Sequence, residues 1–432
     1  MTKAKWARIL GTTAIAFTLA ACGNGDGEET DTSDDTETSA ESDTSNDETE
    51  TEASTEPAQG ITDDSVKVGN SAATSGAYAP VGSPFNAGIQ AYFEMVNDDG
   101  GVHGREIEFV HTDDEFDPAI GRAALQTLVE DEEVFALVGH FGTPVIAATI
   151  DDIKDYGIPA VYFAAGIGQL YNAEAEGSDR VAMPVQPIYT TEGEMMLSRA
   201  VGDFEAEKVG IIYTNDDAGL DMLEGAENKA DELGIELVSE QVPAGATDVS
   251  AAVTSIVNED VDFIIGASIQ NTLPTIVKAL VAQGSTADLI TSYVNVDASI
   301  SQQIWNDING QFDVYGNGWV DLASEESQEN LAMMNEWIED EYDNNVYAMT
   351  GWIAGHFFTE GMDRLGEETP TWDAYIDAME SEPINNPFGG EIDFGDGQRV
   401  GTQEMNLSRV EGETEWVEVE ALKGIDEILG NN

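Results

Sequence analysis

Few side chains in this sequence are placed to do covalent chemistry. It contains one cysteine, Cys22, and four histidines, His103, His111, His140 and His356. The histidine spacings match no metal-ligand pattern. The acidic run Asp113-Asp114-Glu115-Phe116-Asp117 lacks the alternating ligands and central glycine of a calcium loop. It reads instead as a turn in which Asp117 caps a helix opened by Pro118. There is no Gly-x-Ser-x-Gly elbow and no glycine-rich phosphate loop with its lysine. With no nucleophile beside a partnered base, catalysis has no visible machinery, and neither a metal nor another cofactor is expected. What remains is binding chemistry. Thr143, just before Pro144, reads as an N-cap, and a helix start offers free N–H groups and partial positive charge to an anion or carbonyl oxygen.

Cys22 points to a different use. Lys3, Lys5 and Arg8 precede an apolar run from Ile9 to Ala21 that ends Leu19-Ala20-Ala21-Cys22, which is a charged region, a short hydrophobic region and a small-residue cleavage point. The arrangement resembles a bacterial lipobox, whose cysteine receives a diacylglycerol and becomes the first residue after cleavage. Residues 1–21 are then a signal peptide and Cys22 is an anchor. A core cysteine is the poorer reading because the residues after it cannot build a core. An uncleaved membrane span is poorer still, since the run is shorter than the roughly 20 residues a bilayer needs.

From Gly23 to Gly60 the chain has 14 acidic residues and no Lys or Arg. Such a segment has too little apolar surface to offset the entropy of ordering. Residues 22–60 are read as a flexible acidic tether spanning roughly 30–40 Å. The whole chain carries 85 acidic and 16 basic residues; with Lys3, Lys5 and Arg8 cleaved away, 13 basic residues face the same 85, a net charge of −72. Nucleic acid and anionic membrane surfaces are excluded as partners of such a body. A salt-rich or an alkaline exterior both fit it. Screening predicts a melting temperature that climbs with sodium chloride toward about 1 M, and a flat response would show that the carboxylates are already paired or too far apart to matter. With one cysteine no disulfide is possible within the chain, so the core alone must hold the fold.

Behind the tether, short β-branched runs alternate with helical patterns. Val66–Gly69, Glu106–Val110, Phe135–Val138 and Ala160–Phe163 read as strands, with helices over Phe85–Asn97 and Val145–Tyr156, the latter closed by Gly157. The pattern restarts with a capping box, Thr191 with Glu194. Strands at Val209–Tyr213, Ile235–Val238, Phe263–Ile265 and Leu289–Thr291 follow, among helices over Leu220–Leu233, Val249–Asn258 and Leu273–Gln283. Long helices over Glu329–Tyr342 and Ala348–Leu365 bring the chain back, and a hairpin of Gly390–Phe394 with Glu404–Val410 about Gly395-Asp396-Gly397 ends it. The fold class is therefore α/β, with two Rossmann-like lobes whose parallel sheets are covered on both faces and present their βα loops to a cleft. This description also fits an anchored hydrolase or a sensor.

The run Ala73-Thr74-Ser75-Gly76-Ala77-Tyr78-Ala79-Pro80-Val81-Gly82, then Asn97-Asp98-Asp99-Gly100-Gly101-Val102-His103-Gly104-Arg105, Asp113-Asp114-Glu115-Phe116-Asp117-Pro118 and Val138-Gly139-His140 resembles the extracellular solute-binding proteins of branched-chain amino acid and amide transporters. Tyr347-Ala348-Met349-Thr350-Gly351-Trp352 and Gly390-Glu391-Ile392-Asp393-Phe394 resemble that family's closing motifs. The resemblance runs in order over about residues 62 to 410. It implies a type I periplasmic binding fold with three hinge crossings, closing on a small ligand and delivering it to ABC permease subunits from the outer face of the cell membrane. A sensor lipoprotein feeding a signalling receptor is the alternative. The implied division is lobe 1 over 61–184, lobe 2 over 185–313, a return to lobe 1 over 314–395 and to lobe 2 over 396–432.

The same resemblance assigns a site. Thr143 matches the hydroxyl that contacts a ligand carboxylate, and Val81, Phe141 and Tyr347 match the pocket wall. Ala164 and Ala165 keep backbone carbonyls of an Ala-Ala-Thr motif, but Gly166 replaces its threonine. Tyr293 stands where a glutamate often meets the ligand ammonium, and Ala218 stands in place of a familiar tyrosine. Trp319, in a glycine-rich turn, is a candidate cap for the cleft. These departures imply a ligand without a free α-ammonium. An amino acid is the alternative, with Asn295 or Asp297 brought into play by a shifted register.

Overall fold

Runs rich in Val, Ile and Ala form the strands of two sheets, and amphipathic segments between them become helices on both faces. The computed structural model describes residues 56–430; the signal segment, Cys22 and the tether up to residue 55 lie outside the described residues. The first sheet holds β1 (Ser65–Ala72), β2 (Glu106–Asp113), β3 (Ala136–Phe141), β4 (Ala160–Ala164) and β5 (Ala182–Met183), all parallel, in the order β2-β1-β3-β4-β5. The second holds β6 (Lys208–Thr214), β7 (Glu236–Val242), β8 (Phe263–Ala267), β9 (Asp288–Thr291) and β10 (Val314–Gly318), parallel, in the matching order β7-β6-β8-β9-β10. A two-residue pair, β11 (Ile384–Asn385) with β12 (Glu391–Ile392), stands apart. β13 (Glu404–Gly412) and β14 (Glu415–Gly424) extend the second sheet antiparallel beyond β10. The α/β class with two parallel-dominated lobes is thus as the sequence indicated.

The first lobe is covered by α1 (Ala79–Asp98), α2 (Pro118–Gln126) and α3 (Thr143–Tyr156), and the second by α4 (Tyr189–Gly202), α5 (Asp217–Leu233), α6 (Ser250–Asn258), α7 (Thr272–Gln283) and α8 (Ala298–Ile308). After β10 the helices α9 (Glu325–Trp337), α10 (Val346–Leu365) and α11 (Trp372–Glu380) pack on the first lobe, while α12 (Ile425–Leu429) closes against α4. Each lobe has one helix pair that crosses at reciprocal glycines. A Cβ on Gly88 of α1 would lie 2.0 Å from Ala348 O of α10, and one on Gly351 of α10 would lie 1.9 Å from Phe85 O. In the second lobe, a Cβ on Gly193 of α4 would meet Met222 O at 2.1 Å, and one on Gly225 of α5 would meet Thr190 O at 1.8 Å. Only glycine lets the backbones approach so closely. Among the described residues no helix is long and apolar enough to cross a membrane.

Several local expectations are corrected. β10, assigned by the sequence to the returning chain from residue 314, is instead an interior strand of the second sheet, so the return starts after Gly318. The chain passes between the lobes near residues 184–188, 319–324 and 398–403. The terminal hairpin is β13 with β14; Gly390–Phe394 pairs with neither, and Gly395-Asp396-Gly397 is a turn, with φ 54° at Asp396 and 75° at Gly397, that does not join the hairpin strands. α4 begins at Tyr189 without a Thr191–Glu194 capping box. The tether boundary at Gly60 runs slightly too far, because Ala58 N–H donates to Pro370 O at 3.0 Å and the Gln59 amide to Val129 O and Val134 O at 3.1 and 3.0 Å.

Candidate functional site

Where parallel strands end at their carboxyl edge, the βα loops of both lobes face one another, and there lies a cavity of about 80 Å³. The first lobe supplies Tyr78 and Val81 after β1, Phe116 after β2, and Phe141, Gly142 and Thr143 at the junction of β3 with α3. The second supplies Ile269, Gln270, Tyr293 and Val294 from the loops after β8 and β9. Trp319, in the crossing after β10, and Tyr347, in the first turn of α10, complete the wall. Aromatic faces dominate. Tyr78 and Phe116 stack with centroids 3.7 Å apart, Phe141 lies 5.6 Å from Phe85 and 6.2 Å from Phe116, and Tyr189 stacks on Tyr293 at 6.0 Å.

Backbone strain puts several of these groups in place. Phe116 has φ 65° and follows Glu115 at φ 53°; Asp114 holds this turn by accepting the Phe116 N–H at 2.9 Å and a hydrogen bond from the Ser71 hydroxyl. Asp117 then caps α2, accepting from Ala119 and Ile120 N–H at 2.8 and 3.2 Å, so the acidic run is the turn its sequence indicated. Gly142 takes φ 94°, and a Cβ there would press on the Phe116 ring at 2.7 Å. Gly142, not Thr143, is the residue before α3, and Thr143 is the first helical residue. No side chain caps this helix start, so its free N–H groups and partial positive charge remain open toward the cavity.

On the opposite wall a buried network fixes Tyr293. Its hydroxyl donates to Gln186 Oε1 at 3.1 Å, and Gln186 Nε2 donates to the Tyr162 hydroxyl at 2.8 Å. Glu192 of α4 accepts the Tyr293 N–H at 2.8 Å, the Ser292 hydroxyl at 2.6 Å and the Asn317 amide at 3.4 Å. Burial pushes the Glu192 carboxyl up to about 7, against the pull of those three donors. Gln270, at φ 52°, donates to the Tyr347 hydroxyl at 3.0 Å and to Val294 O at 3.1 Å, joining second-lobe loops to α10 across the cleft. Gly168 N–H in the first lobe donates to Asp221 of α5 at 2.7 Å, a second cross-cleft tie.

Of the nine residues expected at the ligand, Val81, Phe141, Thr143, Ala164, Tyr293 and Tyr347 line this cavity. Ala165, Gly166 and Ala218 do not. Ala165 and Ala218 are buried in the core, and Gly166 sits beneath the wall, where a Cβ would lie 2.0 Å from Pro187 O and 3.1 Å from the Tyr293 hydroxyl. A side chain at 166 is thus blocked first by the Pro187 carbonyl, with the Tyr293 hydroxyl a second, looser limit. Tyr78, Phe116, Gln186, Tyr189, Gln270 and Thr350 were not named as ligand contacts from the sequence; of these, Tyr78, Phe116 and Thr350 lay in motifs singled out there. No Asp, Glu, Lys, Arg or His lines the cavity among the described residues. The polar groups available are Thr143, Gln186, Gln270, Thr350 and the tyrosine hydroxyls. Nor do the described residues hold a cluster of three or more His, Cys, Asp or Glu suited to a metal.

The comparisons with known proteins agree with this architecture. A solved structure titled as a fatty acid ABC transporter substrate-binding protein from Thermomonospora curvata superposes with a TM-score of 0.75 at 20% identity, over 88% of this chain and 97% of that one. A branched-chain amino acid ABC transporter protein from Thermus thermophilus with bound valine gives 0.74 at 15% identity, over 84% and 98%. A solute-binding protein from R. palustris in complex with benzoate gives 0.70 at 19%, over 82% and 96%. Among curated sequences, an amino acid binding protein of Pseudomonas aeruginosa is 24% identical over 51% of this chain and 59% of its own length. The leucine-, isoleucine-, valine-, threonine- and alanine-binding protein of the same organism is 20% identical over 76% and 85%. Residues 65–415 match the family model described as periplasmic binding protein, and the chain belongs to that family.

Proposed function

We propose that this chain is the solute-capturing component of an ABC importer, and that its solute is a small carboxylate, amide or urea-like compound lacking a free α-ammonium. The observation that carries this reading is the uncharged, aromatic wall of the cleft. An α-ammonium enclosed there would meet no carboxylate, and burying a charge without a partner costs several kcal/mol. A carbonyl or carboxylate oxygen has the open start of α3 and the Thr143 hydroxyl. The structural relatives titled for fatty acid, valine and benzoate support the breadth of solute chemistry such a fold takes, and two of the three solutes have no ammonium. The hydrogen bond between Gln270 and Tyr347 forms only when the lobes are together, so closure over the ligand is the state a permease would recognise. Calorimetry of ligand-stripped protein is expected to show butyrate, benzoate or propionamide binding at least 100-fold tighter than leucine or isoleucine, about 2.7 kcal/mol. Micromolar binding of leucine would sink the reading.

The same proposal includes anchoring through Cys22 on the outer face of the membrane, supported by the signal-like segment that precedes it. Cys22→Ala is expected to move the protein from the membrane fraction to the culture fluid, because acyl chains contribute about 0.8 kcal/mol per buried CH₂. Equal membrane retention of the variant would refute the anchor.

A further inference from the structure

A second cavity, of about 350 Å³, lies directly behind the first, and the two share Tyr293, Trp319 and Val346 as walls. Its lining joins apolar Val296, Val320, Leu322, Met349 and Trp416 to the uncharged polar groups of Asn344, Asn406, Ser408 and Thr414. Its two carboxylates each accept a hydrogen bond: Asp297 from the Ser299 N–H at 2.8 Å, and Glu418 from the Asn406 amide at 3.1 Å. Trp319 is 4% exposed, lines both cavities, and meets the Tyr162 ring in a tilted contact at 6.4 Å. It directly follows Gly318, which pairs with Asn406 of β13; a Cβ on Gly318 would lie 2.2 Å from Asn406 Oδ1, so the Asn406 side chain lies over the strand residue from which the indole leaves.

We propose that Trp319 sets the length of solute this protein accepts, and that the space behind it is an unused chamber for an apolar tail. The orientation follows from charge and rests on the reading of the first cavity given above. A carboxylate or amide head belongs in the uncharged cavity at the start of α3, because Asp297 and Glu418 repel an anion in the second. A straight chain leaving that head toward Trp319 stops at the indole. Removing the ring joins the two cavities into one elongated site with a polar end and an apolar end.

The test is calorimetry of the wild-type protein and W319A against three straight-chain series from four to twelve carbons: carboxylic acids, primary amides and α-amino acids. In the wild type, affinity is expected to rise with length and then fall at least tenfold beyond a cut-off. In W319A the cut-off should move outward by three or more carbons. Adding L322W, which fills the rear chamber, should move it back. W319L carries the same test with a smaller shift if W319A does not fold. An unchanged cut-off, or a uniform loss at every length, overturns the proposal. A cut-off that shifts only among α-amino acids upholds the partition while defeating the head-group reading. Failure of all three series to bind either protein defeats both.

Discussion

Replacing Arg399 by methionine is expected to lower the melting temperature by roughly 10 °C, the largest loss we foresee from a single residue. The guanidinium is 1% exposed and donates to Arg180 O at 2.7 and 3.2 Å, Phe394 O at 3.1 Å and Gln398 O at 2.9 Å, and pairs with the Glu380 carboxylate. It therefore ties the chain entering the first crossing, the chain entering the third, and α11. Burial raises the Glu380 carboxyl, yet hydrogen bonds from Arg180 and Arg399 outweigh it and hold the group below its ordinary range. Without Arg399 three carbonyls lose a donor and Glu380 loses one of two cations, a change that costs about 3–5 kcal/mol when a buried pair is broken. The double variant R399M/E380L should melt above R399M, because Arg180 retains Asp377 at 2.6 Å and no buried carboxylate is left short of cations. A melting temperature for R399M within 2 °C of the wild type would show that the cluster is not what holds the crossings together.

That cluster was invisible in the sequence, since Arg180, Glu380 and Arg399 lie in segments far apart along the chain. Features that depend on one or two adjacent residues were legible. Asp117-Pro118 starts a helix, and Gly157 ends its own at φ 70°, because capping and left-handed geometry are local demands. Thr191 and Glu194 misled because tertiary contact sets the start of α4: Tyr189 N–H donates to Gly166 O at 2.6 Å, which begins the helix three residues early and turns Glu192 inward. β10 was misassigned because Gly316, Asn317 and Gly318 have poor strand propensity, and the strand exists through its partners on either side, β9 and β13.

The site divides along the same line. Topology alone points to the βα loops of both lobes, since ligands gather at the carboxyl ends of parallel strands; the loops after β1, β2, β3, β8 and β9 and the end of β4 do line the cavity, whereas the loop after β6 does not. Which side chains those loops turn inward depends on strained backbone, as at Phe116 and Gln270, and on the first turn of α10, which arrives some 200 residues after α3. Residue type carries no sign of a positive φ at a phenylalanine or glutamine. Ala218 failed for a plainer reason: it lies on the packed side of α5, in the core.

Glu192→Gln is expected to flatten much of the dependence of stability on pH between 5 and 8. The carboxyl is fully buried, and burial lifts it from 4.5 to about 7, so the native state holds a proton that the unfolded chain has released. Stability from this group is fully present below pH 4.5 and is lost as pH rises through 7, amounting to about 3 kcal/mol across the range. Its neighbours explain the size of the effect: it meets the Ser292 hydroxyl, the Tyr293 N–H and the Asn317 amide, none of them a cation. Asn317 Oδ1 is buried without a partner, so turning that amide over would offer the protonated carboxyl an acceptor. Glutamine keeps one acceptor for the Tyr293 N–H and carries permanent donors in place of the titrating proton. Thermal melts of both proteins from pH 5 to 8 should therefore converge at the acid end and separate toward pH 8, with the variant the more stable. Self-repulsion of the acidic surface acts on both proteins alike and cancels in the difference. Parallel curves across the whole range would show that Glu192 does not titrate there.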